Sequence, residues 1–239
     1  MSDSNISQQI ASGSTRAQRR HKRLLWIVLA IVVVALGWLG FDLYAPRQTR
    51  LRDFDPNEVA RLETAMWRSY YDKERVKLFN QLSETLRQQY HMPLVRSNAV
   101  AYQAAKAAFV FKEGKQRVDY EKALPNLVNY YTAIRAMSDT PFDVERAAKL
   151  ELEWWIVHRQ RAKHQPGDLA QALADLQAEL FRLPAERFQE HARLRAEAMT
   201  IRDDKAAASG VSEADWQHIE ELLRGSWQSL WKAVNDGAA

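Results

Sequence analysis

Cysteine is absent from all 239 residues, which excludes disulfide-stapled modules, CxxC redox centres, cysteine zinc fingers, c-type haem attachment and iron–sulfur clusters. Glycine and proline are scarce, at eight and seven residues. Little material exists for phosphate-cradling loops, and no Walker, GxSxG or dinucleotide-binding pattern occurs, so nucleotide and serine-nucleophile chemistry find no support. An excess of one charge is also missing from most of the chain. Residues 1–23 carry Arg16, Arg19, Arg20, Lys22 and Arg23 against Asp3, and the remaining 216 residues hold 29 basic and 29 acidic side chains. The formal charge of +4 therefore belongs to the first 23 residues. Nucleic-acid binding, which needs a clustered positive surface, is not expected.

What the chain does have is one long apolar run. Leu24–Phe41 is eighteen residues without a charge, and as a helix at 1.5 Å per residue it covers roughly 27 Å, about the hydrocarbon thickness of a bilayer. It also lacks the polar face of a helix in a soluble domain. Trp26 and Trp38 sit near its ends and Tyr44 just beyond, where an interfacial aromatic belt belongs. Five Lys and Arg precede the run, Arg19, Arg20, Lys22 and Arg23 among them, and three follow it (Arg47, Arg50, Arg52). That bias predicts a cytoplasmic N-terminus and an extracytoplasmic remainder. Length and flanks favour an uncleaved single-pass anchor over a cleaved signal peptide, whose best site would follow Gly37. The expected organisation is a basic disordered cytoplasmic tail over 1–23, a transmembrane anchor over 24–44, a juxtamembrane linker over 45–54 and an all-α extracytoplasmic domain over 55–239. The expected membrane is the bacterial inner membrane.

Beyond the anchor, the punctuation is helical. Asp55-Pro56-Asn57-Glu58 supplies a capping side chain, a proline at the first helical position and an acid behind it. A single helix is predicted from there to about Tyr90, stopped by His91-Met92-Pro93. A second, over 94–113, is rich in alanine (Ala99, Ala101, Ala104, Ala105, Ala107, Ala108) and ends at Gly114, a candidate left-handed cap. Further helices are predicted over 116–137 with a restart at Pro125, 143–163, 168–183 and 184–207. The last, over 213–235, is capped by Ser212 to Asp215. About seven helices with short polar turns predict a bundle of antiparallel helical hairpins. No 34-residue period supports a tetratricopeptide array.

Two helical faces interleave acids and a histidine with large aromatics. Glu63, Trp67, Tyr70 and Glu74 fall at steps of four, three and four, and Glu151, Trp155 and His158 do the same with Trp154 adjoining. Such a face offers an aromatic and carboxylate pocket for a ligand or a general acid. The plainer reading makes the aromatics core and pairs the acids with Arg68, Arg75 or Arg159. Histidines are scattered, no HExxH occurs, and the only acid three places before a histidine is Asp215 before His218, so neither a metal nor any other cofactor is expected. Trp216, Trp227 and Trp231 concentrate three indoles in the last helix, a pattern suited to partner binding or to closing the core.

These readings predict a non-catalytic, membrane-anchored interaction or accessory subunit of an envelope complex, with the bilayer and a second envelope protein as partners. The alternative is a small-ligand binder or enzyme using the pocket between the first and fourth helices after the anchor.

Overall fold

The computed structural model describes residues 3–236 and is helical throughout, with no strand among those residues and one isolated bridge, Thr49 to Ser138. It divides into two units, residues 1–45 and 46–239. The first unit is α1 (Asp3–Tyr44), which runs through the Ser- and Gln-rich stretch expected to be a tail. Within it, Lys22–Tyr44 has a mean hydropathy of 2.7 and is long and apolar enough to cross a membrane.

Among the described residues, the second unit has nine α-helices: α2 (Pro56–Tyr71), α3 (Arg75–Tyr90), α4 (Leu94–Glu113), α5 (Arg117–Tyr120), α6 (Leu124–Arg135), α7 (Val144–Arg159), α8 (Asp168–Phe181), α9 (Gln189–Ala208) and α10 (Glu213–Asn235). Three of the starts, those of α2, α7 and α10, follow capping chemistry. The Asp55 carboxylate accepts from the amides of Asn57 and Glu58, Asp143 accepts from Arg146, and Ser212 and Asp215 form a reciprocal capping box.

Two helices stand where one was expected. The helix from Asp55 ends at Tyr71, because Lys73 takes the left-handed conformation (φ 61°). The Glu74 amide then bonds back to Ser69 O at 2.9 Å and the Lys73 amide to Tyr70 O at 3.3 Å, the paired closure of a Schellman motif. Neither glycine nor proline marks this break. Gly114 also differs from expectation: its φ is −68°, so it is no left-handed cap. A Cβ there would lie 2.6 Å from the Tyr120 ring, and close approach is what requires glycine.

Packing follows chain order. α2 lies on α3, α3 on α4, α4 on α6, and α6 through α10 each on the next, while α10 returns to pack on α2. Eight of these helices, all but α5, thus close into a ring. Two hydrophobic clusters fill it. One gathers α3, α4, α6, α7 and part of α8; the other gathers α2, α9, α10 and the rest of α8. α8 serves both, sending Leu176 and Leu180 into the first and Leu173 and Ala174 into the second.

The stretch expected to be a linker is fastened into this unit from Thr49 onward. Thr49 exchanges backbone hydrogen bonds with Met137 and Asp139, Leu51 is buried in the first cluster, and Phe54 is buried in the second against Trp227.

Candidate functional site

The ring holds a cleft of about 1090 Å³, slightly larger than the usual range for drug-sized ligands. Every helix of the second unit except α5 contributes to its wall. Sequence explains why the space is left open. α4 presents Ala104, Ala105 and Ala108 to the cleft, where longer side chains would fill it. Rings line the rest of the wall: Trp67 from α2, Phe111 from α4, Tyr130 and Tyr131 from α6, Trp154 and Trp155 from α7.

Seven of the eight residues singled out for a pocket line this cleft: Glu63, Trp67 and Tyr70 on α2, and Glu151, Trp154, Trp155 and His158 on α7. Glu74 does not. The break at Lys73 takes it off the α2 face, and it accepts from Ser69 Oγ and from Lys77 at the start of α3 instead.

Glu63 is buried at 3% exposure, with both oxygens engaged. Oε1 accepts from Arg195 Nε at 3.0 Å and Nη2 at 2.6 Å, and Oε2 accepts from Trp227 Nε1 at 2.6 Å. Arg195 in turn stacks 5.3 Å over Trp154. Burial disfavours the Arg195 charge, but the Glu63 carboxylate outweighs it and raises the guanidinium above its ordinary value. The partner of Glu63 is thus none of the nearby arginines the sequence offered. It lies 132 residues away, on a helix whose many charges gave no apolar stripe to read.

Glu151 takes a different set. It accepts from the Tyr131 hydroxyl at 2.7 Å and from Trp155 Nε1 at 2.9 Å. Burial, then the Glu151 charge, pushes the Tyr131 phenol well above its ordinary value, and burial likewise raises Tyr90 and Tyr130. His158 Nε2 stands 3.1 Å from Asp203. Burial would raise the Asp203 carboxyl, but the adjacent His158 and a hydrogen bond from Arg202 prevail and hold it below the usual range. Burial pushes Tyr71, beside this group, up to about 12.

Neither Glu63 nor Glu151 has an uncommitted oxygen poised for proton transfer. The two act as acceptors for the chain's own indole, phenol and guanidinium donors, and what the arrangement builds is a stiff, ring-lined wall. Among the described residues no three His, Asp or Glu side chains cluster as a metal site would require.

The three indoles of α10 part company. Trp227 is buried in the core, Trp216 lies under the Arg68 guanidinium at 5.2 Å, and Trp231 alone is exposed, at 40%.

No family model matches this chain, and no curated protein or solved structure matches it either.

Proposed function

We propose that this chain is a membrane-anchored binding protein whose helical domain receives an apolar small molecule in its central cleft. One observation carries the reading: about 1090 Å³ of space walled by aromatic and aliphatic side chains from eight helices. A ring closed only to bury its own core would fill that space. In the same reading Lys22–Tyr44 is a single uncleaved span, the N-terminus is cytoplasmic, and the domain stands outside the bacterial inner membrane with neighbouring helices as antiparallel hairpins. The apolar run and the basic residues before it support that placement.

Two experiments test this. Ala108→Trp on α4 places an indole in the cleft and is expected to abolish uptake of the neutral dye N-phenyl-1-naphthylamine by the full chain in nanodiscs, measured against empty nanodiscs. Undiminished uptake overturns the reading. The absence of cysteine permits a topology assay: Ser209→Cys should react with a membrane-impermeant maleimide from the outer side of the membrane, and Ser7→Cys only after lysis. The reverse pattern inverts the orientation.

A second reading, an accessory subunit that docks a protein partner, draws on the exposed Trp231 of α10. A photoreactive residue in place of Trp231 should then crosslink to one envelope protein, and no crosslink there removes its support.

A further inference from the structure

The cleft is not only apolar. The chain beyond residue 23 carries 29 basic and 29 acidic side chains, yet seven basic and only three acidic ones line this cavity. Three of the seven are committed: Arg195 to Glu63, Arg202 to Asp203, and Arg161 to Asp203 and Asp204. The other four, Arg75, Lys106, Lys112 and Arg159, are exposed and have no carboxylate partner among the described residues.

These four share one rim. Lys106 and Lys112 flank Phe109 on the cleft-facing side of α4, with Tyr102 one turn before. From α3, Arg75 lies 5.9 Å over the Phe109 ring. From the end of α7, Arg159 donates to the carbonyls of Phe111 and Lys112 at 2.9 and 3.0 Å and lies 5.2 Å over Phe111. Tyr102 and Phe109 are more than half exposed, so the rim is a band of cations laid on exposed rings. Behind it the wall turns apolar: Leu82 and Leu86 from α3, Leu127 and Ile134 from α6, Leu176 and Leu180 from α8.

An entrance of unneutralised cations leading into an apolar interior matches one ligand shape, a negatively charged head on a hydrocarbon body. The head stays at the rim, half in water, where a charge needs little desolvation, and the body fills the interior. The domain begins at Pro46, two residues after the apolar span ends at Tyr44, so in the membrane-anchored reading the chain itself keeps the domain tethered to a source of acyl chains. We propose that the cleft binds an acyl-chain anion drawn from the bilayer, its oxyanion held by Arg75, Lys106, Lys112 and Arg159. The proposal rests on the binding reading above and adds the charge and class of the ligand.

The test uses the full chain in nanodiscs of a zwitterionic lipid and two photoreactive probes, a palmitic-acid analogue with a diazirine in its tail and the methyl ester of the same molecule. Labelled peptides are mapped by mass spectrometry, and adducts on Lys22–Tyr44 report what each probe does in the lipid itself. Relative to those adducts, the acid should label peptides of α3, α6 and α8 at least about fivefold more than the ester, the sum of several exposed charge contacts. Lys106→Gln with Lys112→Gln should bring the acid down toward the ester, whereas Lys149→Gln, an exposed lysine outside the cleft, should change nothing. Both rim lysines are exposed, so folding is not at stake, and an unchanged melting temperature confirms it. Equal labelling of the cleft by acid and ester overturns the charge inference and leaves the apolar cleft standing. Labelling of Lys22–Tyr44 with none in the cleft overturns the binding reading as well.

Discussion

Trp227 and Glu63, 164 residues apart, meet at 2.6 Å with the indole N–H donating to a buried carboxylate. The contact joins α10 to α2, the step that closes the ring, and Arg195 binds the other oxygen of the same carboxylate from α9. One acid thus fastens three helices.

Glu63→Gln should therefore cost far more than a surface change. It removes the counter-charge of Arg195, whose side chain is only 15% exposed, and breaking a buried pair by deleting one partner costs about 3–5 kcal/mol. Trp227→Phe keeps most of the ring packing but leaves Oε2 of Glu63 without its donor, at about 1–3 kcal/mol. Thermal or urea unfolding followed by circular dichroism measures both. A Glu63→Gln variant within 1 kcal/mol of the parent, against that estimate, would show that the acid does not fasten the ring.

His191 makes the domain sensitive to acid. It is fully buried, its Nδ1 lying 2.7 Å from Ser226 Oγ. Burial, reinforced by the Arg195 charge, lowers its pKa from 6.5 to about 3. The folded state thus binds fewer protons than the unfolded chain between those values. The contribution is complete above pH 6.5 and is lost as pH falls toward 3, at up to about 1.4 kcal/mol per pH unit. His191→Gln cannot titrate, so its stability should fall less steeply than the parent's between pH 6.5 and 4. Parallel curves for the two proteins would remove His191 as the cause.

Lys73 sets the α2–α3 break from a left-handed backbone conformation with φ of 61°, which costs a residue bearing a Cβ roughly 1–2 kcal/mol. Glycine adopts it freely, so Lys73→Gly should raise stability by up to about 1 kcal/mol after its larger unfolded-state entropy is counted. Lys73→Val should lower it. Destabilisation by both would mean that the Lys73 side chain itself holds the break.

These three positions also mark the limits of what sequence makes legible. Helix class, helix starts and the apolar run are local signals, written in capping residues and spacing, and Asp55, Asp143 and Ser212 cap the helices they announce. The aromatic faces of α2 and α7 are likewise readable, because i, i+3 and i+4 positions share a side. Lys73 is silent, since nothing about lysine signals a left-handed turn, and the turn is fixed by backbone bonds from Glu74 to Ser69 and from Lys73 to Tyr70. Arg195 is silent for another reason: its role depends on Glu63 being brought to it by ring closure, and no spacing encodes a partner 132 residues away. The cationic rim was hidden by the neutrality of the whole domain, which averages away an excess confined to α4, the start of α3 and the end of α7.

Glu151 provides the contrast that separates wall from site. Its two oxygens accept from Tyr131 and Trp155, and no cation pairs with it among the described residues, so Glu151→Gln strands no buried charge. An amide in its place keeps one acceptor and turns its other atom, a donor, toward a phenol or indole that also donates. The expected loss is about 1–3 kcal/mol, smaller than for Glu63→Gln. The preference of the cleft for the fatty-acid probe over its ester should survive intact, because that preference belongs to the rim and not to the wall. Should Glu151→Gln erase the preference while melting within a few degrees of the parent, the carboxylate would be acting on the ligand directly, and the division of labour between rim and wall would have to be redrawn.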